Sequence, residues 1–594
     1  MQRQAKPVSS PLAPARASAA VYGSDLMVEM LRELGIEYIA LNPGASYRGL
    51  HDSLVNFPGG GPEIILCPHE EIAVAIANGY ARVTGKPMAT GLHDVVGLQH
   101  AAMAMFISWC SRTPVLNLGG GGPQDATNRR STDWIHTALV QGNLVREFVK
   151  YDDQPASIEA VPESFLRAYR IATTEPMGPV YICLDSDVQE APIEKPMTVP
   201  DASLYRAPAP PRPNLDALNE AAALLVGAAW PVILSGEIGR SAETRAALAQ
   251  LAELLGAPVI AAEGVGLPTA HPLDVTPLRE DVLARADVVL GLDVPSLGVP
   301  LGPVVRERGE FHLIVSPETK VINVTMADQQ KQSWVTEGMW VTPVAVPIAA
   351  TTEQTLPELL AACSALAAGD HGHGRKAQER RDEIGRMHAG AAERSAERTR
   401  ELWDAKPIAS GRLYGELVKS LAGRPWAMVQ GHNRRWGEMD VSEPDHAIGA
   451  GRGGGVGTGL PSSIGSALAL KGSGRLCVTV LGDGDFFMTS NALWTAAKYD
   501  IPLLVLIYNN HSYYNDEEHQ ERIAVRRERP VENKGVGIRI EDPAPDFAGL
   551  ARSLGVAGFG PVSDPAQLGD VLDEALTVVA GGKPAVVDIE TQVR

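Results

Sequence analysis

Short, mainly apolar runs separated by longer mixed segments recur along the chain. Residues 475–481 (RLCVTVL) and 501–508 (IPLLVLIY) are two such runs, and the segment 488–499 between them has helical composition. Runs of this kind are typical of strands buried on both faces, so the pattern predicts a strand, a helix and a second, parallel strand. The crossover of such a unit is right-handed, and it brings the carboxyl ends of both strands to one edge of the sheet.

The same alternation predicts an α/β fold with three domains, each built on a doubly wound parallel sheet. We expect the first domain over residues 21–190, the second over 210–365 and the third over 407–594. A proline-rich linker at 206–214 separates the first two domains. A segment rich in Arg, Glu and Ala at 366–406 is expected to form a helical connector before the third.

Composition narrows the class of protein. The 594 residues include 52 basic and 71 acidic side chains, and the resulting charge of −19 argues against nucleic-acid and anionic-membrane binding. No apolar run reaches the ~20 residues that a membrane helix needs. Residues 1–20 lack a continuous apolar core and are expected to form a disordered tail, with an organelle transit peptide as the alternative. The five cysteines are scattered without a CxxC pair, which predicts reduced thiols and a cytoplasmic location.

Candidate metal-binding residues follow the two strands described first, at their carboxyl ends. Gly482-Asp483-Gly484 follows the first strand, and Asn509-Asn510 follows the second. Neighbouring strands lie roughly 5 Å apart, so the Asp483 carboxylate and the Asn510 amide could reach one ion. Mg²⁺ prefers oxygen ligands and is held by carboxylates together with substrate phosphates. From spacing alone, a magnesium and diphosphate site and a pair of metal-free turns both remain open.

This element resembles the thiamine-diphosphate motif, in which GDG is followed after some two dozen residues by NN. Here 24 residues separate Gly484 from Asn509. The resemblance implies three metal ligands, the last through its backbone carbonyl: Asp483, Asn510 and Ser512. It implies contacts to the diphosphate from three further residues of the turn: Gly482, Gly484 and Asp485.

A second element lies in the first predicted domain, where an apolar strand at 63–67 is followed by His69-Glu70 and a helix. The plain interpretation is that Glu70 complements the helix dipole, a contribution of ~0.3–1 kcal/mol. The thiamine enzymes, however, carry His-Glu nine residues before the glycine of a GYA segment, which here is Gly79. The resemblance implies that a buried Glu70 shares a proton with N1′ of the cofactor's aminopyrimidine, so that the exocyclic amine can deprotonate C2 of the thiazolium. It also implies that this glutamate reaches a cofactor anchored on the neighbouring subunit of a homodimer or dimer of dimers.

A glycine-rich segment at 449–470 precedes the metal motif. It contains a formal GxGxxG at Gly449, Gly451 and Gly454, but the strand that a dinucleotide site needs directly before it is missing. In the thiamine family a glycine-rich turn leads instead into a GLP sequence, and a bulky apolar residue four before the leucine holds the cofactor bent. The resemblance implies that Val456 is this residue and that the Gly454 carbonyl accepts from the cofactor's amine.

The segment VQGHNRRW at 429–436 resembles the family's diphosphate-binding turn with a mismatch of one residue. The resemblance assigns cofactor contacts to Gln430, Gly431 and His432. For His432 an idle, solvent-exposed turn histidine is the alternative. The resemblance as a whole names the three predicted domains pyrimidine-binding, central and diphosphate-binding, in chain order.

The resemblance runs from about residue 22 to the end and is closest to acetolactate synthase and benzoylformate decarboxylase. It implies decarboxylation of a 2-oxo acid, with or without ligation of the product to a second carbonyl. His93 falls at the catalytic histidine of the decarboxylase pattern and is the candidate proton shuttle, an ordinary turn histidine being the alternative. His136 is a further catalytic candidate, and it lies near a pocket position where acetolactate synthases carry Phe followed by Gln. Neither is present here, which argues against strict acetolactate synthase activity.

Three alternatives bear on this interpretation. Within the family, the chain could be a lyase acting on a 2-hydroxyacyl thioester or an acyloin, although it shows no C-terminal extension of the kind that would close over coenzyme A. A catalytically silent regulatory homologue is the alternative from another class, and the presence of Glu70, Asp483 and Asn510 together argues against it. The second domain carries ILSGEIGRS at 233–241 but lacks the GMHG-like turn of acetolactate synthases, so the pattern does not favour FAD.

Overall fold

The structure is a computed structural model that describes residues 15–593 except for short gaps. The gaps are 130–134, 239–240, 263, 295, 303, 306–309, 312, 330–341, 432–438, 440, 444–445 and 449–451.

Strands and helices alternate through the described chain. The strands are β1 (Ala15–Ala17), β2 (Tyr38–Leu41), β3 (Glu63–Leu66), β4 (Met88–Leu92), β5 (Val115–Gly121), β6 (Tyr151–Asp153), β7 (Val180–Asp185), β8 (Thr198–Pro200), β9 (Pro231–Ser235), β10 (Val259–Ala261), β11 (Val288–Leu292), β12 (Val304–Val305), β13 (Glu310–Phe311), β14 (Lys320–Val324), β15 (Val346–Ile348), β16 (Trp426–Gln430), β17 (Leu476–Gly482), β18 (Leu504–Asn509), β19 (Ala557–Val562) and β20 (Ala585–Glu590). The helices are α1 (Gly23–Glu33), α2 (Arg48–Asn56), α3 (Glu70–Thr84), α4 (Asp94–Cys110), α5 (Val161–Thr173), α6 (Ser186–Glu190), α7 (Leu215–Gly227), α8 (Ala242–Leu255), α9 (Arg279–Leu283), α10 (Gly298–Leu301), α11 (Thr352–Gly369), α12 (His373–Glu401), α13 (Ser410–Leu421), α14 (Gly459–Leu470), α15 (Asp483–Met488), α16 (Ala492–Lys498), α17 (Tyr514–Arg526), α18 (Phe547–Ser553) and α19 (Leu568–Ala580).

The first compact unit contains the residues up to Ala209 and the segment Gly451–Ala469. Its main sheet has six parallel strands in the order β3-β2-β4-β5-β7-β6, and β1 and β8 form a separate antiparallel pair. Strands β4 and β5 are buried along their whole length. Helices cover a parallel sheet on both faces, and the polar side chains buried here pair with each other, since the Thr90 hydroxyl donates to Asn117 Oδ1 at 2.9 Å.

Helices α3 and α14 pack closely within this unit because glycines lie where they meet. A Cβ on Gly79 would collide with the carbonyl of Ser462, and one on Gly465 would collide with the carbonyl of Ile76. The Ser466 hydroxyl donates to the Gly79 carbonyl at 3.2 Å. The glycine of the GYA segment is therefore required by the approach of two helix backbones, which only a residue without Cβ allows.

The second compact unit contains Pro210–Ala450 and Leu470–Arg594. It holds two five-stranded parallel sheets, ordered β10-β9-β11-β14-β15 and β16-β17-β18-β20-β19, together with the short antiparallel pair β12–β13. Three parallel sheets with interleaved helices confirm the predicted α/β class. The residue limits of the three predicted domains remain a prediction.

The strand–helix–strand unit predicted over 475–508 is present, but its helix differs from the prediction. Strands β17 and β18 are parallel neighbours, and Gly482 lies opposite Tyr508. The helix predicted over 488–499 is shorter than expected, since α16 begins only at Ala492, and a short helix that was not predicted, α15, ends at Met488 before it. The interruption at Thr489-Ser490-Asn491 has a physical reason, because these short polar side chains compete with the backbone for hydrogen bonds.

Candidate functional site

The oxygens of Asp483 and Asn510 converge at the carboxyl ends of β17 and β18. Asp483 is only 2% exposed. Its Oδ2 accepts the Ser512 N–H at 3.1 Å, and Asn510 Oδ1 accepts the same N–H at 3.0 Å. One carboxylate oxygen and one amide oxygen therefore meet at a single backbone group, as the parallel arrangement of the strands predicts.

The neighbouring Asn509 has a different, structural position. Its Nδ2 donates to Asp588 Oδ1 at 3.0 Å, which joins β18 to β20. Its Oδ1 accepts the backbone N–H of His511 at 3.1 Å, and His511 has a φ of +57°. The tight turn after Asn509 thus directs the second asparagine, Asn510, toward Asp483.

Ser512 is fixed from both sides. Its hydroxyl donates to Glu517 Oε1 at 2.6 Å, and the same carboxylate pairs with Arg539 at 3.2 Å. Its N–H is shared between Asp483 and Asn510. These contacts leave the backbone carbonyl as the group through which the predicted third ligand would act.

Tyr513 packs against the glycine turn, a contact that sequence reasoning did not predict. A Cβ on Gly484 would overlap the Tyr513 ring, so this tyrosine lies directly against the turn formed by Gly482, Asp483 and Asp485. Burial raises the pKa of the Tyr513 phenol, and the nearby charges of Asp483 and Asp485 raise it further. Tyr513 therefore packs as a neutral side chain against the acidic turn.

The electrostatics of this turn suit a divalent cation. Burial raises the pKa of the Asp483 carboxyl to about 6, although the N–H groups of Gly484 and Ser512 pull it down. Burial removes the water that would stabilise the ionised carboxylate, and a bound cation would stabilise it instead. Carboxylate, amide and carbonyl oxygens are the donors that Mg²⁺ prefers. The residues present therefore fit a magnesium ion with a diphosphate.

Two of the three predicted residues of the diphosphate turn lie on the same edge. Gln430 ends β16 and pairs in register with Thr479 of β17, and Gly431 follows it. Because β16 and β17 are parallel, both residues lie at the edge of the sheet formed by the carboxyl ends, with Gln430 level with Thr479, three residues before Gly482. His432 lies outside the described residues.

Glu70 is the first residue of α3 and is 5% exposed. Its Oε2 lies 3.0 Å from His100 Nδ1 on α4, and a Cβ on Gly97 would come within 2.8 Å of Oε1. The His69 ring stacks on the His100 ring with centroids 4.6 Å apart. Sequence reasoning found His69-Glu70 and missed His100 as their partner, since His100 comes 30 positions after Glu70 with no local motif.

The structure brings the two predicted catalytic histidines together. The ring centroids of His93 and His136 are 5.3 Å apart. His93 directly follows β4, and its Nδ1 lies 2.9 Å from the Ser46 hydroxyl. The Ser46 oxygen also accepts the Asp94 N–H at 3.1 Å, so Ser46 joins His93 to the start of α4. Sequence reasoning did not predict Ser46, which contacts His93 through Nδ1; the Asp94 carboxylate also lies 3.9 Å from that nitrogen.

Gly454 and Val456 belong to the first compact unit, which also contains Glu70. Gly454 has a φ of +68°, and Val456 is 49% exposed. The segment is attached to the end of α4, where the Ser111 hydroxyl accepts the Arg452 N–H at 2.9 Å.

Among the described residues, no helix is long and apolar enough to span a bilayer.

The N-terminal and C-terminal parts of the chain each match a model of a known enzyme family. Residues 21–143 match the family model "Thiamine pyrophosphate enzyme, N-terminal TPP binding domain", and residues 431–589 match "Thiamine pyrophosphate enzyme, C-terminal TPP binding domain". The acetolactate synthase large subunit of Haemophilus influenzae is 26% identical over 572 residues, covering 94% of this chain and 92% of that protein. Benzoylformate decarboxylase of Pseudomonas aeruginosa is 24% identical over 575 residues, covering 95% and 98%.

A solved structure shares the fold. The thiamine diphosphate-dependent 4-hydroxybenzoylformate decarboxylase of Rhodococcus jostii RHA1 superimposes with a TM-score of 0.75 at 21% identity. The match covers 96% of this chain and 99% of that one.

Proposed function

The chain belongs to the family of thiamine-diphosphate-dependent enzymes, and we propose that it uses thiamine diphosphate and Mg²⁺ to decarboxylate a 2-oxo acid. The product is either released as an aldehyde or ligated to a second carbonyl compound. The relatives named above are a carboligase and a decarboxylase, which supports this reaction class.

One observation carries the proposal: Asp483 Oδ2 and Asn510 Oδ1 converge on the Ser512 N–H in a buried turn. A turn that only reversed the chain would not need a buried carboxylate, whose desolvation is unfavourable without a cation. The pair of oxygens at adjacent strand ends is the arrangement expected for a cation that also binds phosphate oxygens.

The remaining residues divide the chemistry between them. Bound thiamine diphosphate supplies an electron sink for the carbon that loses CO₂. Asp483, Asn510 and the Ser512 carbonyl would hold the magnesium ion, and the backbone of Gly482 and Gly484 would lie against the diphosphate. Glu70 would hold a proton at Oε1 for the nitrogen N1′ of the cofactor's pyrimidine. His93 would hold a proton at Nε2 and deliver it to the product.

The surroundings of His93 support a position for the substrate. A Cβ on Gly44 would collide with the His93 ring, so the two residues are in close contact. Gly44 also lines a groove of about 530 Å³ together with Arg48 and His51. We assign the organic group of the 2-oxo acid to this groove and its carbonyl to the side of His93 and His136.

We further propose that two chains assemble into a homodimer or a dimer of dimers, with Glu70 of one subunit serving the cofactor held at Asp483 of the other. The family resemblance supports this arrangement. Each active site would then need both chains.

A substrate screen tests the proposed reaction. Purified protein saturated with thiamine diphosphate and Mg²⁺ is given pyruvate, branched and aromatic 2-oxo acids, and acyloins, and release of CO₂ or aldehyde is measured. Glu70→Gln is compared on the best substrate, with Glu71→Gln as the matched control because it changes an adjacent carboxylate of the same helix turn.

We expect Glu70→Gln to lower turnover by about 10²- to 10⁴-fold, and Glu71→Gln to retain turnover close to wild type. A Glu70→Gln variant as fast as wild type contradicts the proposed role of Glu70. Failure of every 2-oxo acid, with turnover of an acyloin, would identify the chain as a lyase of the reverse sense instead.

A further inference from the structure

Helix α4 presents two residues to the Glu70 carboxylate. Gly97 and His100 are three positions apart and therefore lie on one helix face. His100 Nδ1 is 3.0 Å from Glu70 Oε2, whereas Oε1 faces the bare backbone at Gly97, where a Cβ would come within 2.8 Å. The two carboxylate oxygens consequently have different surroundings: one has a ring nitrogen, the other a space left by a missing side chain.

The His100 ring is itself fixed by His69. The two rings stack with centroids 4.6 Å apart and an angle of 23° between their planes. His69 caps α3, and its Nδ1 accepts the Glu71 N–H at 3.3 Å. Burial lowers the pKa of His69, and the neighbouring His100 lowers it further, although the Glu70 charge opposes this. His69 is thus a neutral platform, anchored to the helix start, against which His100 rests.

The side chains of His69, Glu70 and His100 could alternatively bind a metal ion. Ligand atoms of His69, Glu70 and His100 lie within 4.8 Å of one another. A neutral histidine that binds a metal through Nε2 carries its proton on Nδ1. In His69, Nδ1 is the acceptor of the Glu71 N–H and cannot carry that proton. The arrangement fits a hydrogen-bonded carboxylate better than a metal centre.

We propose that His100 is a positioning residue for Glu70. Its Nδ1–H donates to Oε2 and holds the carboxylate in one rotamer, so that Oε1 is the oxygen presented to the cofactor. The inference rests on the proposed function, because it assigns a partner to the glutamate that activates thiamine diphosphate. A side chain held in its reactive orientation avoids an ordering cost at each turnover.

The hydrogen bond can be tested in the cofactor-free protein. Nitrogen-15 NMR of the labelled histidines, with His100→Asn used to assign the resonance, reports which nitrogen of His100 carries a proton. We expect a proton on Nδ1 in wild type, and loss of that preference in Glu70→Leu. A wild-type His100 protonated on Nε2 alone, with a bare Nδ1, overturns the proposal whatever the variants do.

The consequence for the cofactor is tested by hydrogen–deuterium exchange at C2 of bound thiamine diphosphate. His100→Leu removes the donor and His100→Asn retains an N–H near the position of Nδ1. We expect exchange to slow about 10- to 100-fold in His100→Leu and to recover to within about threefold of wild type in His100→Asn. The cofactor dissociation constant should stay within about threefold in both. The exposed His371→Leu is the control that should match wild type.

The outcomes separate this inference from the proposed function. Exchange at the wild-type rate in Glu70→Gln would show that the proposed function is wrong. Slow exchange in Glu70→Gln together with wild-type exchange in His100→Leu would leave that function standing and overturn the role of His100. Slow exchange in both His100 variants, without recovery in His100→Asn, would show that the ring packs against α3 without positioning the carboxylate through a hydrogen bond.

Discussion

The two candidate clusters use different chemical groups. The Glu70 cluster, which comprises His69, Glu70, His93, His100 and His136, consists of carboxylate and imidazole side chains. His69, Glu70 and His100 contact one another, and His93 lies against His136. The Asp483 cluster, which comprises Gly482, Asp483, Gly484, Asn510 and Ser512, consists of oxygen donors and glycines ordered by backbone N–H groups. Both lie at the carboxyl ends of parallel strands, where α/β sheets bind ligands. One cluster is suited to moving protons and the other to holding charge.

The difference also appears in how each cluster is fixed. The Asp483 cluster forms within one strand–helix–strand unit, so its geometry follows from the pairing of β17 with β18. The Glu70 cluster depends on side chains from separate elements, such as the contact between His100 on α4 and Glu70 on α3. Substitutions in the first should therefore act on cofactor binding, and those in the second on the rate after binding.

The largest expected effect is from Asp483→Asn. Loss of the carboxylate charge removes the main attraction for Mg²⁺, and we expect the affinity for thiamine diphosphate with Mg²⁺ to fall at least about a hundredfold. Isothermal titration calorimetry measures this. Asp500→Asn, which alters an exposed carboxylate paired with Lys583, is the control that should bind normally. Wild-type affinity in Asp483→Asn would remove the distinction between the two clusters.

Mixing two inactive variants sharpens the comparison further. If Glu70 of one subunit serves Asp483 of another, a hybrid of Glu70→Gln and Asp483→Asn chains contains one intact site and one doubly altered site. Random reassortment in a symmetric dimer should then restore about one quarter of wild-type activity. No recovery, with hybrids verified by mass spectrometry, would place both clusters of each site in a single chain.

Magnesium affinity should depend on pH through the Asp483 carboxyl. The pKa of Asp483 in the folded protein is about 6, above its ordinary value of 3.8, so a proton competes with the cation below that pH. We expect the apparent affinity to fall by up to about tenfold per pH unit below pH 6 and to level off above pH 7. Magnesium titrations at pH 5, 6 and 7 measure this.

The raised pKa of Asp483 makes the stability of the cation-free protein fall as the pH rises. In cation-free protein, ionisation of the buried Asp483 is unfavourable, so its contribution to stability is present below pH 4 and is lost as the pH rises through 6. Saturating Mg²⁺ should remove this loss, and Asp483→Asn should lack it. Unfolding midpoints that are independent of Mg²⁺ at pH 7 would contradict the assignment.

The smallest expected effect is from Gly97→Ala. The added Cβ would lie 2.8 Å from Glu70 Oε1 and displace the carboxylate by a few tenths of an ångström. We expect about a tenfold loss of turnover with cofactor affinity unchanged. Gly374→Ala is the matched control, because no atom lies within 4 Å of a Cβ there. A change in cofactor affinity instead of turnover would show that Gly97 acts on cofactor binding, as the Asp483 cluster does, and not on the position of Glu70.

The parts predictable from sequence are those with local patterns. Buried apolar runs predicted β17 and β18, and their parallel pairing placed Asp483 beside Asn510. The interruption between α15 and α16 was missed, because helical composition over 488–499 hides the short polar residues that break it.

The unpredicted parts depend on contacts between distant segments. Ser46 reaches His93 across 47 positions, and His100 reaches Glu70 across 30. Tyr513 packs on Gly484 only because the chain turns back after β18. Sequence periodicity indicates which face of an element is buried, but it does not say which side chains of two elements meet.

Exchange at C2 tests, without any substrate, whether Glu70 activates a cofactor anchored by Asp483. Wild type and Glu70→Gln are saturated with thiamine diphosphate and Mg²⁺, occupancy is verified by calorimetry, and hydrogen–deuterium exchange at C2 is followed by NMR after acid quench. The account predicts equal occupancy and exchange at least about a hundredfold slower in Glu70→Gln. Equal exchange rates in the two proteins at equal occupancy would contradict it.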